Sequence, residues 1–198
     1  MSLRRFKYAA AADWETVRSW LSGRQQPETM MDDPVRSILN AVREHGDRAL
    51  VEYTRKFDCK EFHVHQIKVP GEAIAQARDE VPGPDLDIIA EAATNIRSFH
   101  ERQVRQSWVT TNEDGAVQGQ LVRPVDRAGL YVPGGKGGET PLLSSLLMNA
   151  IPAQVAGVGE LAVVSPPRQD GTLNPYLLAT AALLGIEEIY MAGSAWAI

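Results

Sequence analysis

Arg127-Ala-Gly-Leu-Tyr-Val-Pro-Gly-Gly-Lys-Gly-Gly-Glu-Thr-Pro141 is the stretch that decides the fold. Residues 128–132 are short, apolar and β-prone, and Pro133-Gly134-Gly135 ends them, which predicts a buried strand. Thr140 then stands where an N-cap would be, with Pro141 at the first helical position ahead of an apolar periodic run. A strand that feeds a helix through a glycine loop can leave backbone N–H groups free at the helix N-terminus. Those groups, with the helix dipole, favour an anionic ligand such as a pyrophosphate. The loop matches no standard nucleotide fingerprint. It has no G-x-G-x-x-G, and Lys136 is followed by Gly137 rather than by the Ser or Thr of a Walker A loop. On these residues alone, ligand binding and a plain tight connection both remain open.

The same alternation continues downstream. Strands are predicted at 128–132, 161–164 and 188–191, and helices at 141–155 and 175–184. Each helix is entered through a polar residue and a proline, and Gly185 closes the second. A βαβαβ order implies a parallel sheet with right-handed crossovers. The expected fold class is therefore α/β: an incomplete doubly wound, Rossmann-like sheet preceded by a mostly helical α+β region. Any ligand belongs outside the carboxyl ends of the strands, where the loops 133–140, 165–174 and 192–195 lie.

Upstream, residues 3–21 read as a short amphipathic start, and Arg24-Gln-Gln-Pro-Glu28 as a polar linker. Asp33-Pro34 opens a helix with Asp33 as N-cap, and Gly46-Asp47 divides its apolar spacing into two helices. Phe62-His-Val-His-Gln-Ile-Lys-Val69 alternates like a strand ended by Pro70-Gly71. A short helix follows at 72–78, and a long one at 85–106 carries the stripe Ile88, Ile89, Ala92, Ala93, Ile96 and Phe99. Trp108-Val-Thr-Thr111 and Val117-Gln-Gly-Gln-Leu-Val122 flank the turn Asn112-Glu-Asp-Gly115 and form a hairpin. The chain thus divides into an N-terminal helical segment (1–25), the first part of an α/β domain (26–124) and the nucleotide-binding half (125–198).

A chain of 198 residues, 44% hydrophobic, buries a sizeable core. Its net charge of −5 and its scattered Lys and Arg argue against nucleic-acid binding. Cys59 is the single cysteine, so there is no internal disulfide and a reducing cytoplasm suits the chain. It reads as a spectator thiol. The run Ala9–Ala12 is too short for a signal peptide, and no apolar run reaches membrane-spanning length. His63 and His65 share a strand face at a spacing that can hold a metal, but no third ligand is evident nearby, so a solvated face is the better reading. His100 and Glu101 point apart on a helix, and Ser144 and Ser145 have no His partner in sequence. No catalytic residue and no metal ligand is assigned.

Arg127-Ala-Gly-Leu-Tyr-Val-Pro-Gly-Gly135 and Ser144-Ser-Leu-Leu-Met-Asn-Ala-Ile-Pro-Ala-Gln-Val-Ala-Gly-Val158 closely resemble the histidinol dehydrogenase family. So do Val42–Leu50, Tyr53-Thr-Arg-Lys-Phe-Asp58, Asn95–Gln103, Ser165-Pro-Pro167 and Ala192-Gly-Ser-Ala-Trp-Ala-Ile198. The resemblance covers nearly the whole chain, most weakly over residues 1–33 and 60–90. It implies NAD-dependent oxidation of L-histidinol to L-histidine through the aldehyde, with zinc, in a homodimer. It also implies that the zinc ligands and a catalytic Glu-His pair lie in a further half of the family's length. The apolar ending Ala195-Trp-Ala-Ile198 supports the expectation of a truncated product. A non-catalytic remnant or assembly partner of the same fold is the competing reading, and the reading frame beyond Ile198 separates the two.

The cofactor residues come from the resemblance as well. On sequence, Tyr131 is either a packing tyrosine or a partly exposed ring with a polar tip. The resemblance implies that it contacts NAD. The family pattern Gly-Gly-Ala-Gln-Ala-Ile, whose Gln binds NAD, is here Gly193-Ser-Ala-Trp-Ala-Ile198. Trp196 can stack on a ring but cannot supply an amide carbonyl.

Overall fold

A computed structural model describes residues 6–7, 11–24, 29–135, 140 and 142–197. The chain forms two compact units, Met1–Ile38 and Leu39–Ile198. The first contains helix α1 (Ala11–Arg24) and the start of α2 (Thr29–His45). The linker expected at 24–28 falls almost wholly outside the described residues. Helix α2 begins four residues before the expected cap at Asp33, so Pro34 lies inside it. The residues before Asp33 are helix-competent. Proline's fixed φ suits a helix, and here its missing N–H removes one early rung only.

In the second unit, α2 ends at the expected break. Gly46 takes φ +53° and starts α3 (Asp47–Phe57). The strand expected at 62–69 does not form. Val64–Gln66 is a turn of 3-10 helix, and the His63 N–H donates to Gln66 Oε1 at 2.8 Å. The Gln66 side chain thereby competes with any ladder for the local backbone donors. Only the end of the segment behaves as β structure. The Val69 N–H donates to the Ile189 carbonyl at 2.9 Å, and the Met191 N–H to the Ile67 carbonyl at 2.7 Å.

Helices α4 (Gly71–Glu80) and α5 (Gly83–Glu101) follow. The expected core stripe of α5 is too wide. Ile89 and Ala93 are buried, whereas Ile88 and Phe99 are 66% and 62% exposed. The helix packs on α6 and α7 through one narrow face, with Arg97 Nη2 donating to Gln154 Oε1 at 2.6 Å. The hairpin forms as β1 (Trp108–Thr111) and β2 (Val117–Gln120), paired antiparallel.

The rest is β3 (Arg127–Tyr131), α6 (Leu143–Val155), β4 (Glu160–Ser165), α7 (Pro175–Leu183) and β5 (Glu188–Met191). The three strands pair in parallel in the order β3-β4-β5, as a βαβαβ unit requires. Leu130, Val163 and Ile189 stand in register on one face and are buried against the helices. Tyr131, Val164 and Tyr190 stand in register on the other, and all three are half-buried. There Gly129, Ala162, Val164 and Tyr190 line an open groove of about 880 Å³.

Helix α6 starts later than expected, at Leu143, and Leu142 makes no side-chain cap. Pro141 and residues 136–139 lie outside the described set, and with them most of the glycine loop. Thr140 is kept in the loop. Gly135 has φ +67°, and a Cβ there would run into the Thr140 carbonyl, so the two backbones meet where only glycine fits.

Candidate functional site

The carboxyl ends of β3, β4 and β5 converge as their parallel order dictates. The Val132 N–H donates to the Val164 carbonyl at 2.8 Å, and the Ala192 N–H to the Ser165 carbonyl at 3.1 Å. The loop after β5 then turns through Gly193 and a 3-10 segment, Ser194–Ala197. Ser194 adopts φ +45°, which is unusual for a residue with a Cβ. Its N–H donates to Tyr131 Oη at 3.1 Å. Tyr131 therefore bridges the end of β3 to the loop after β5.

Trp196, 6% exposed, packs into the chain's own aromatic cluster. Its ring stacks on Tyr53 at 5.7 Å and on Phe57 at 5.2 Å between centroids, each tilted by 20°. Those neighbours come from one face of α3, so the C-terminal end of α3 seats beside the ends of the strands. Tyr131, at the end of β3, and Trp196, on the loop after β5, are the two residues the sequence singled out, and both engage that loop. One holds that loop by its hydroxyl, and the other fixes its far end.

Sequence reasoning missed the third member, Asp58. A Cβ on Gly193 would lie 3.0 Å from Asp58 Oδ2, 3.0 Å from Pro166 Cβ and 3.3 Å from Trp196 Cζ2. Glycine is what allows this approach. Asp58 Oδ2 and Trp196 Nε1 are both buried without a hydrogen-bond partner, as are Ser165 Oγ and Thr54 Oγ1. Burial pushes the Asp58 carboxyl up to about 6. Unpaired buried polar groups are uncommon in native structures, and these belong to α3 with its C-cap, the end of β4 and the loop after β5. A polar cavity of about 390 Å³ opens beside Asp58, with Lys56, Lys60 and Gln169 on its wall.

Among the described residues the arrangement gathers buried polar atoms without bringing together an acid–base or nucleophilic pair. Among the described residues no three His, Cys, Asp or Glu side chains converge as a metal site. His63 and His65 stack on each other at 5.6 Å, with Arg55 Nη2 3.4 Å from His63 Nδ1, a cation where a metal would have to sit. His100 Nδ1 is engaged 2.7 Å from Gln103 Oε1, and Cys59 is a buried free thiol. No helix among the described residues is long and apolar enough to cross a membrane.

Comparison with known proteins agrees with this architecture. The family model described as histidinol dehydrogenase matches residues 22–198. The histidinol dehydrogenase of Oleidesulfovibrio alaskensis is 56% identical over 198 residues, which are 100% of this chain and 46% of that protein. That of Nitratidesulfovibrio vulgaris is 58% identical over 198 residues, 100% of this chain and 45% of that protein. The crystal structure of histidinol dehydrogenase from Elizabethkingia anophelis superposes with a TM-score of 0.76 at 34% identity, covering 87% of this chain and 39% of that one. The chain spans a little under half the length of the relatives it matches. With a family match over residues 22–198 and relatives more than half identical along the whole chain, the chain belongs to the histidinol dehydrogenase family.

Proposed function

We propose that this chain forms part of the cofactor cleft of a cytoplasmic, homodimeric enzyme of histidine biosynthesis. That enzyme would oxidise L-histidinol to L-histidine through the aldehyde with NAD. The observation that carries the reading is the loop after β5, tied to Tyr131 Oη and leaving Trp196 Nε1 and Asp58 Oδ2 unpaired beside the strand ends. Bound there, NAD would accept hydride from the substrate carbon. The chain's own residues would bind and orient it. Tyr131 and Trp196 are the residues assigned to that task. The two ring contacts occupy Trp196 within the protein, so Tyr53 and Phe57 already take the stacking that its ring could offer a ligand. Zinc, which the family resemblance implies, finds no fit among the described residues. No metal step and no acid–base step is assigned to these residues.

Calorimetric titration of NAD into the chain and into Tyr131→Ala tests the site. Weak binding is expected in the parent, and a several-fold loss in the variant, the worth of about one hydrogen bond (~0.5–1.5 kcal/mol). Equal affinity in both would return Tyr131 to a purely structural role.

A further inference from the structure

Asp58 caps the C-terminal end of α3 and is half-buried. Its Oδ2 is buried and accepts no hydrogen bond, and a Cβ on Gly193 would lie 3.0 Å from it. The loop after β5 therefore rests directly on this oxygen. The residue also borders the polar cavity of about 390 Å³. One carboxyl group thus stands between the underside of a loop and an opening to water.

The charged groups divide along the same line. On the inner side Gly193, Trp196 and Pro166 meet beside Oδ2, and none is ionisable. On the outer side Arg55 and Lys56 from α3, and Lys60 and Glu61 just after it, line the cavity with Gln169. Arg55 is engaged by the Phe62 carbonyl at 2.6 Å, and Arg168, next to Gln169, by Asp170 at 3.7 Å. Lys56 and Lys60 form no ion pair among the described residues. A carboxylate on the inner side has neither a donor nor a counter-charge, so the neutral form is favoured there. Burial alone pushes this carboxyl up to about 6. A carboxylate turned to the outer side meets water and two ammonium groups.

We propose that Asp58 is the positioning residue of the loop after β5 and works between two stations. Neutral, it stays beneath Gly193 and keeps the loop seated. Ionised, it gives its proton to solvent, turns into the lysine-lined cavity and leaves the loop without its support. Tyr131 Oη and the Trp196 ring then hold the loop alone. The consequence for NAD rests on the cofactor site proposed above: the seated loop binds the cofactor more tightly than the released one.

Nuclear magnetic resonance of the whole chain tests the device without any ligand. The Trp196 Nε1–H signal, assigned through Trp196→Phe, should shift with pH in the parent with a midpoint of about 6. Asp58→Asn is neutral at every pH and should abolish that transition while keeping the loop seated. Protection of the Ser194 N–H against hydrogen exchange should be equal in the two proteins at about pH 4.5, and about tenfold lower in the parent at about pH 8. Lys56→Gln with Lys60→Gln leaves the inner side intact and weakens the outer station, so the midpoint should rise by about half a unit. Far-ultraviolet dichroism checks that each variant is folded, and the lysine pair still decides if Asp58→Asn is not. An indole signal that ignores pH overturns the device, as does a transition that survives in Asp58→Asn. Equal Ser194 protection at both pH values, or a midpoint indifferent to the lysines, also rejects it. Titrating NAD at the same two pH values separates the device from the cofactor reading. Tighter binding by the parent at the lower pH is expected, with no pH dependence in Asp58→Asn. Affinity independent of pH in both proteins, with the transition intact, rejects the link to the cofactor and leaves the two stations of Asp58 standing.

Discussion

Asp58 places a carboxyl group where the end of α3 meets the loop after β5, and burial pushes it up to about 6. The native state therefore holds this proton more tightly than the unfolded chain, where the group titrates near 3.8. The stability it contributes is fully present below about pH 4 and is lost as pH rises through about 6. Asp58→Asn removes that loss. Its melting temperature should exceed the parent's at about pH 8 and match it at about pH 4. A constant difference across that range would mean that the carboxyl is not desolvated in solution. The residue was within sight in the sequence, inside Tyr53-Thr-Arg-Lys-Phe-Asp58, but nothing local marks it. Its importance comes from Gly193, far along the chain, whose missing Cβ admits Oδ2. The strand carrying Tyr131 follows from the sequence, whereas the hydrogen bond the Tyr131 hydroxyl accepts from the Ser194 N–H does not.

Helix starts show how far a local pattern reaches. The same signal, a polar residue before proline, occurs at Asp33-Pro34, Thr140-Pro141 and Asn174-Pro175. Only the last is realised. Asn174 Oδ1 accepts from the Tyr176 N–H at 3.0 Å, and Pro175 is the first residue of α7. At Asp33 the helix runs through, because the preceding residues extend it. At Thr140 the close approach of Gly135 keeps the residue in the loop. Asn174→Ala should therefore cost about 1 kcal/mol in urea denaturation. An unchanged midpoint would show that Pro175 alone starts α7. The alternation at 62–69 misled for a related reason, since a single glutamine side chain can outcompete a ladder that only its last residues join.

At the scale of the molecule, the parallel order β3-β4-β5 and its two helices were legible because βαβ units leave few alternatives. The central layer Leu130, Val163 and Ile189 follows from it. Ile189 is fully buried between β4 and the 67–69 segment, so Ile189→Ala should lower stability by about 2–5 kcal/mol in chemical denaturation. A loss well under 1 kcal/mol would mean that this layer collapses around the gap. No local signal in residues 67–69 announces that they dock on β5. Their two backbone hydrogen bonds, to Ile189 and Met191, close a loop of well over a hundred residues. Synthesis runs from the N-terminus, so residues 67–69 leave the ribosome long before the strand they dock on exists. With chain growth at roughly 5–20 residues per second, that segment waits for several seconds with its docking edge unoccupied. The interval exposes it to chaperones and proteases, and release comes only when β5 has emerged.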